Sequence, residues 1–312
     1  MLAPDLAAAK RSLLGTLVGD TLGLPYEGLS AKRGTRLLPF PLRQRLLFRH
    51  GMPSDDTVQS YLVLKALIQS HGSTTDFQRH LSQSLRVWFL SIPPGIGLST
   101  IKACLRICVG LGLDRSGVRS AGNGAAMRSA VIGAYFASDD EGRTRFVAAS
   151  TVVTHTDPLA VQGAQLIALA AALVASGEAE QFDSEARELC ADWPWSAKWP
   201  DSGPTGYVVH SVNAVIDLWK RFGNEPARAM EGVIQLGGDT DSVGAMLGGI
   251  LGAGSVEWPT EWTRTLGFPR VSDVRSIDEP GPDAGYVRLV AANLLALPPI
   301  LLFGLRRLLP PY

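Results

Sequence analysis

Apolar residues recur along this chain at helical spacing and almost nowhere at the alternating spacing of strands. Leu159 to Ala175 and Tyr207 to Phe222 are apolar-periodic runs of a length that strands rarely reach. Val58 to Ile68 and Val243 to Leu251 carry the same pattern, and each follows directly on a short acidic turn. Hairpin dipeptides between alternating segments are nearly absent, and no fixed-period repeat is present. The pattern predicts an all-α protein: one compact multi-helix domain over residues 1–284, followed by an apolar tail over 285–312.

Two of the predicted helices carry an unusual packing signature. Gly15, Gly19 and Gly23 are spaced by four, as are Gly244, Gly248 and Gly252. Residues four apart share a helix face, so each series predicts a groove bare of side chains. Glycine inside a helix costs about 1 kcal/mol relative to alanine. Close approach of the two helices is the simplest reason to keep six of them. At the centre of the fold, these helices would carry Asp20 and Glu27 towards the turn at Asp239.

The acidic turns read Ser54-Asp55-Asp56-Thr57 and Gly237-Gly238-Asp239-Thr240-Asp241-Ser242. Carboxylates bunched this tightly repel one another unless something cationic neutralises them. Helix capping uses one such side chain, and each turn supplies three. Together the turns offer hard oxygen donors and nothing soft. If they meet in the fold, they form a cage for one or two divalent cations of the magnesium or manganese kind.

Composition narrows the remaining classes. The 312 residues have formal net charge zero, so no nucleic-acid partner and no membrane surface are expected. Cys104, Cys108 and Cys190 give no disulfide framework, and a reducing, cytoplasmic location is expected. The first ten residues lack a secretory signal. Leu289 to Leu305 is almost wholly apolar but broken by Pro298-Pro299, which predicts a docked tail or a partner-binding segment rather than a membrane span. Between Lys32 and His50 lie six Lys or Arg residues and no acid, a candidate flap or a surface loop. Trp193, Trp195 and Trp199 sit in a Pro-containing insert from Glu178 to Pro204, suited to local packing or to a partner. Two polar breaks between apolar helices complete the pattern: Ser120 to Arg128, with a Gly122-Asn123-Gly124 turn, and Thr154-His155-Thr156-Asp157-Pro158.

In this order the strings resemble the ADP-ribosylglycohydrolase family. The pieces are Gly19-Asp20-Thr21-Leu22-Gly23 with Glu27, the Ser54 turn, Gly122-Asn123-Gly124 with Met127-Arg128, Thr154-His155, Gly206-Tyr207-Val208, the Asp239 turn, and Trp258-Pro259 to Trp262. The resemblance implies an all-α fold with a centre of two Mg2+ or Mn2+ ions. By position the metal ligands would be Ser54, Asp55, Asp56, Asp239, Asp241 and Ser242, with Asp241 bridging. It places Asp55, Asp56 and Glu27 at the chemistry, with Asp55 or Asp56 as general base. Glu27, Ser120, Gly122, Asn123, Gly124 and His155 would hold the substrate, and Tyr207 would face the adenine. Relatives often have His where this chain has Asp157.

The implied activity is hydrolysis at the anomeric carbon of ADP-ribose on a modified side chain, arginine first. Such a reaction develops oxocarbenium-like charge that carboxylates stabilise. The implied partners are an ADP-ribosylated protein or ADP-ribose itself. Two alternatives share the fold: an immunity protein that occludes an ADP-ribosyltransferase, and a hydrolase of another ADP-ribose linkage, to serine or a nucleobase.

Overall fold

Short polar side chains mark where many of the helices begin. The computed structural model describes residues 4–46, 50–112 and 115–266, with isolated positions between 274 and 305. Asp5 caps α1 (Leu6–Gly23), accepting from the amide of Ala8, and α2 (Ala31–Leu37) follows. Ser54 caps α3 (Asp55–Gln69) and Ser73 caps α4 (Thr74–Leu90), before α5 (Leu98–Cys108) and α6 (Ala130–Tyr135). Asp139 caps α7 (Asp140–Val152), and Asp157 caps α8 (Pro158–Ser176), whose first residue is a proline. Then come α9 (Phe182–Leu189), α10 (Val208–Phe222), α11 (Pro226–Leu236), α12 (Thr240–Ala253) and α13 (Thr260–Thr263). Among the described residues there is no sheet, only four isolated β-bridges. The all-α expectation holds.

The glycine grooves mate with each other. A Cβ built on Gly15 would lie 2.0 Å from Gly248 O, on Gly19 1.9 Å from Gly244 O, and on Gly23 2.1 Å from Thr240 O. No side chain fits between α1 and α12, which run antiparallel in main-chain contact. At one end Arg11 donates from Nε to Gly254 O (2.7 Å) and from Nη2 to Ala253 O (3.0 Å). At the other, Thr240 Oγ1 donates to Gly23 O at 2.9 Å.

Two apolar clusters flank this pair. One joins α8, α10, α11 and α12 through residues such as Leu166, Val212, Val233 and Leu247. The other joins α3, α4, α6 and α7 through Leu64, Leu81, Val131 and Phe146. Helix α1 contributes to both, with Leu17 and Val18 on one side and Ala9 and Leu13 on the other. Helix α8 has the length and composition to cross a membrane, yet 67% of its most apolar stretch is buried in the protein.

The Trp-containing insert serves local packing. Trp193 is buried and donates from Nε1 to Asn213 Oδ1 at 2.8 Å, and Phe182 meets the rings of Trp195 and Trp219 edge-on. The basic segment departs from the flap expectation. Leu38, Leu42 and Leu46 are buried, Gln44 Nε2 donates to Thr21 Oγ1 (2.9 Å) and Trp262 O (3.0 Å), and Trp262 Nε1 donates to Leu42 O (3.0 Å). Apolar side chains between the basic ones dock residues 31–46 onto the body. Cys104 and Cys190 are buried free thiols, pushed by burial up to about 12 and about 11. Most of the expected apolar tail, including the 284/285 boundary, lies outside the described residues. Within it Asn293 is buried and donates to Ser91 Oγ at 2.8 Å, whereas Leu301, Leu302 and Leu305 are exposed.

Candidate active site

The antiparallel pairing of α1 with α12 sets the end of α1 beside the start of α12, and α3 begins against the same place. Asp20, fully buried near the end of α1, accepts from the amides of Ser54 (2.9 Å) and Thr57 (3.2 Å) and from the Thr57 hydroxyl. It therefore holds the first acidic turn in shape. Burial raises its pKa to about 6 despite those donors. Ser54 Oγ accepts from the Asp56 amide at 3.1 Å and donates to Asp56 Oδ2 at 2.8 Å, so the serine both caps the helix and orients a carboxylate. Gln59 Nε2 donates to Asp55 Oδ2 at 2.8 Å.

The second turn depends on its glycine pair. Gly237 and Gly238 have φ of 70° and 73°, the left-handed region that glycine adopts freely. A Cβ on Gly238 would lie 2.1 Å from Pro204 O. Through this bend Gly238 exchanges backbone hydrogen bonds with the strand-like residues after Glu27, with Gly238 N to Leu29 O at 2.9 Å and Gly28 N to Gly238 O at 2.7 Å. Asp239 is anchored by its amide to Pro204 O at 2.8 Å.

The two turns meet. Burial, then the charges of Asp20 and Glu27, raise Asp55 to about 7. Asp56 is raised well above the usual carboxylate range by burial and then by Asp55, Asp20 and Asp239. Asp241 is raised likewise, by burial and then by Glu27, Asp239, Asp56 and Asp20. Asp239 is also raised by burial, even though the Asn123 side chain donates to it. Ser54, Asp55, Asp56, Asp239, Asp241 and Ser242 thus share one neighbourhood, with exposed Glu27 at its rim. Asp56 Oδ1 and Asp241 Oδ1 are buried and make no hydrogen bond. Among the described residues, no three His, Cys, Asp or Glu side chains are arranged to hold a metal ion as they stand. Even so, orphaned buried carboxylate oxygens within a set of hard donors suit a divalent cation.

The Gly-Asn-Gly turn is tied to this acidic centre. Asn123 Nδ2 donates to Asp239 Oδ2 at 2.7 Å and to Ser211 Oγ at 3.0 Å, and its amide reaches Gly206 O at 2.9 Å. One β-bridge joins Gly122 to Tyr207 and another joins Val118 to His155. Tyr207 is partly exposed and stacks edge-on against His210. Ser120 Oγ accepts from Ser99 Oγ at 2.8 Å and from the Gly122 amide at 3.3 Å. A Cβ on Gly124 would lie 2.9 Å from His155 Cε1, so the turn presses against the imidazole edge.

His155 is buried, and burial followed by the Arg128 charge lowers its pKa to about 3. At His155 the native state therefore binds less proton than the unfolded chain below about pH 6.5, and this group removes stability as pH falls from there towards 3. The slope from this one group is at most about 1.4 kcal/mol per pH unit. Denaturant unfolding of wild type and His155→Gln between pH 7 and 5 is expected to show the variant losing less stability on acidification. Parallel curves would remove His155 as the cause.

Several site residues escape sequence reasoning. Ser99, at the start of α5, reaches Ser120, and the only signal is the Gly97 that precedes it. Gln59 joins the parts of the site, yet in sequence it is an ordinary member of a helix; Arg128 and Thr154 stand in the motifs, but the bonds by which Arg128 reaches Gln59 and Thr154 are not written there.

A model of the ADP-ribosylglycohydrolase family matches residues 2–289, and the chain belongs to that family. It is 29% identical over 283 residues to an uncharacterized protein of Archaeoglobus fulgidus, covering 82% of this chain and 90% of that one. It is 24% identical over 333 residues to ADP-ribosylhydrolase ARH3 of Gallus gallus, covering 84% and 89%. Among solved structures, an ADP-ribosylglycohydrolase-related protein complex superposes with a TM-score of 0.64 at 22% identity, over 93% of this chain and 98% of that one. At that identity the likeness speaks to the fold. Family membership supports a glycohydrolase that acts on ADP-ribose linkages.

Proposed function

We propose that this chain is a divalent-metal-dependent hydrolase that removes ADP-ribose from modified arginine side chains. The observation that carries the reading is the bond from Asn123 to Asp239, which fastens the predicted ADP-ribose turn to the acidic centre. Ser54, Asp55, Asp56, Asp239, Asp241 and Ser242 would hold the ions. Magnesium or manganese there supplies Lewis acidity and lowers the pKa of water.

The protein's own groups do the rest. Asn123 and the Gly122–Gly124 turn hold the ADP-ribosyl group so that its anomeric carbon faces the acidic centre. Water adds to that carbon as the bond to the acceptor nitrogen breaks. One water proton passes to Asp55 or Asp56, and the guanidine leaves with the electron pair. The carboxylates stabilise positive charge that grows on the ribose ring. Glu27 favours arginine as acceptor, because an exposed acid at the rim complements a cationic guanidinium and gains nothing from a neutral serine oxygen.

Released ADP-ribose, followed from ADP-ribosyl-arginine and ADP-ribosyl-serine substrates, tests both parts. Turnover of the arginine substrate is expected with magnesium or manganese and is expected to fall to background in excess chelator. Turnover that survives chelation removes the metal, and turnover of the serine substrate alone removes the acceptor. Binding without any turnover would favour the immunity-protein alternative.

A further inference from the structure

Arg128 is a buried cation that, among the described residues, pairs with no carboxylate. Each of its five N–H donors instead meets a neutral oxygen. Nε donates to Ser150 Oγ at 3.3 Å, and Nη2 donates to Ser150 O at 2.9 Å and to Thr154 Oγ1 at 2.7 Å. Nη1 donates to Gly124 O at 2.9 Å and to Gln59 Oε1 at 2.8 Å. Burial lowers its pKa to about 10, which leaves it cationic at neutral pH.

A guanidinium donates and never accepts, so every group it touches must turn an acceptor towards it. For Gln59 this fixes the amide: Oε1 faces Arg128 and Nε2 is left to donate to Asp55 Oδ2 at 2.8 Å. For Thr154 it occupies a lone pair of Oγ1, whose other neighbour is His155 Nδ1 at 2.8 Å. If Nδ1 carried the proton, Thr154 would accept twice. Its own hydroxyl proton would then be buried with no acceptor among the described residues, the costly case of an unmade hydrogen bond. If Thr154 donates to Nδ1, the hydroxyl and that ring nitrogen are both satisfied, and the ring proton stands on Nε2.

We propose that Arg128 is a positioning residue. Through Thr154 it fixes His155 as the neutral imidazole with its proton on Nε2, and through Gln59 it aims an amide donor at Asp55. The Nε2 edge is the one beside the turn, 3.3 Å from where a Cβ on Gly122 would stand. His155 thus presents a neutral donor there, not a cation, to an oxygen of the substrate. The contact with substrate rests on the reading of this pocket as the ADP-ribose site; the tautomer stands on the hydrogen bonds alone. The low pKa of His155 agrees with the arrangement.

Long-range proton–nitrogen NMR on the full-length protein reads the tautomer directly. Its five histidines can be sorted with His155→Gln. Wild type is expected to show His155 protonated on Nε2 alone, and Thr154→Ser, which keeps the hydroxyl, to match it. Thr154→Val is expected to lose the tautomer preference and to raise the KM for ADP-ribosyl-arginine about tenfold, the scale of one lost hydrogen bond, with kcat changing less. A proton on Nδ1 in wild type, or a valine variant with wild-type tautomer and KM, overturns the proposal. Should the valine variant fail to fold, the wild-type and serine spectra still decide. If wild type hydrolyses no ADP-ribosylated substrate, the proposed function fails, and the spectra judge the tautomer separately.

Discussion

Gly19→Ala is expected to be among the most destabilising single-methyl changes in this protein, by about 3 kcal/mol or more, at or above the top of the usual overpacking range. The added Cβ would stand 1.9 Å from Gly244 O and 2.5 Å from Gly244 C. Neither is the far end of a flexible side chain that can swing aside. Both belong to the backbone of a helix buried along its whole length, so relief requires α1 and α12 to move apart and both flanking clusters to follow. Gly248→Ala is expected to behave alike, with its Cβ 2.2 Å from Gly15 O. Gly97→Ala is the control: nothing lies within 4 Å of its Cβ, and its φ of −61° suits alanine, so a change within about 0.5 kcal/mol is expected. Chemical denaturation of the three variants beside wild type measures this. Equal midpoints would show that the helices do not meet as described.

Asp241→Asn is expected to lower turnover by at least about a thousandfold while making the metal-free protein more stable. The two effects have one origin. Asp241 is buried, one of its oxygens has no hydrogen-bond partner, and Glu27, Asp239, Asp56 and Asp20 press on its charge. A carboxyl whose pKa is raised in the native state contributes stability in full below its unfolded pKa and loses it as pH rises through its folded pKa. At neutral pH the carboxylate therefore opposes folding, and a neutral amide of similar shape relieves it. Thermal unfolding in chelator should show the variant melting above wild type. On addition of magnesium or manganese, wild type should gain more stability than the variant. Undiminished turnover would remove Asp241 from the chemistry. A lower melting temperature in chelator would show that its charge is not frustrated.

Backbone requirements and charge were legible in the sequence; side-chain relays were not. The four-residue glycine spacing foretold the α1–α12 contact because only a bare groove explains so many helical glycines. The acidic turns announced themselves through repulsion, which local sequence makes visible. The docking of the basic segment went unread, because a flap and a surface loop both fit its charges and connectivity, while Leu38, Leu42 and Leu46 between those charges are what dock it. Gln59, and the parts that Arg128 and Thr154 play within their motifs, stayed hidden for a different reason. Each acts by a hydrogen bond to a residue distant in sequence, such as the 69 positions between Gln59 and Arg128, and no periodicity records such a pairing. Ser99 is similar: its partner Ser120 lies across a helix and a loop.

The main-chain contact between α1 and α12 also bears on how such a protein can diverge. Where helices are separated by side chains, each substitution at the seam resets their spacing by a fraction of an ångström. Here the spacing is the thickness of two peptide backbones, a ruler that no substitution outside the six glycines can shorten or stretch. The carboxylates at its end, Asp20 and Asp241, inherit that constancy. Leu17, Val18, Val243 and Leu247, which face outwards from the seam into the core, are then free to drift among apolar residues without disturbing the acidic centre.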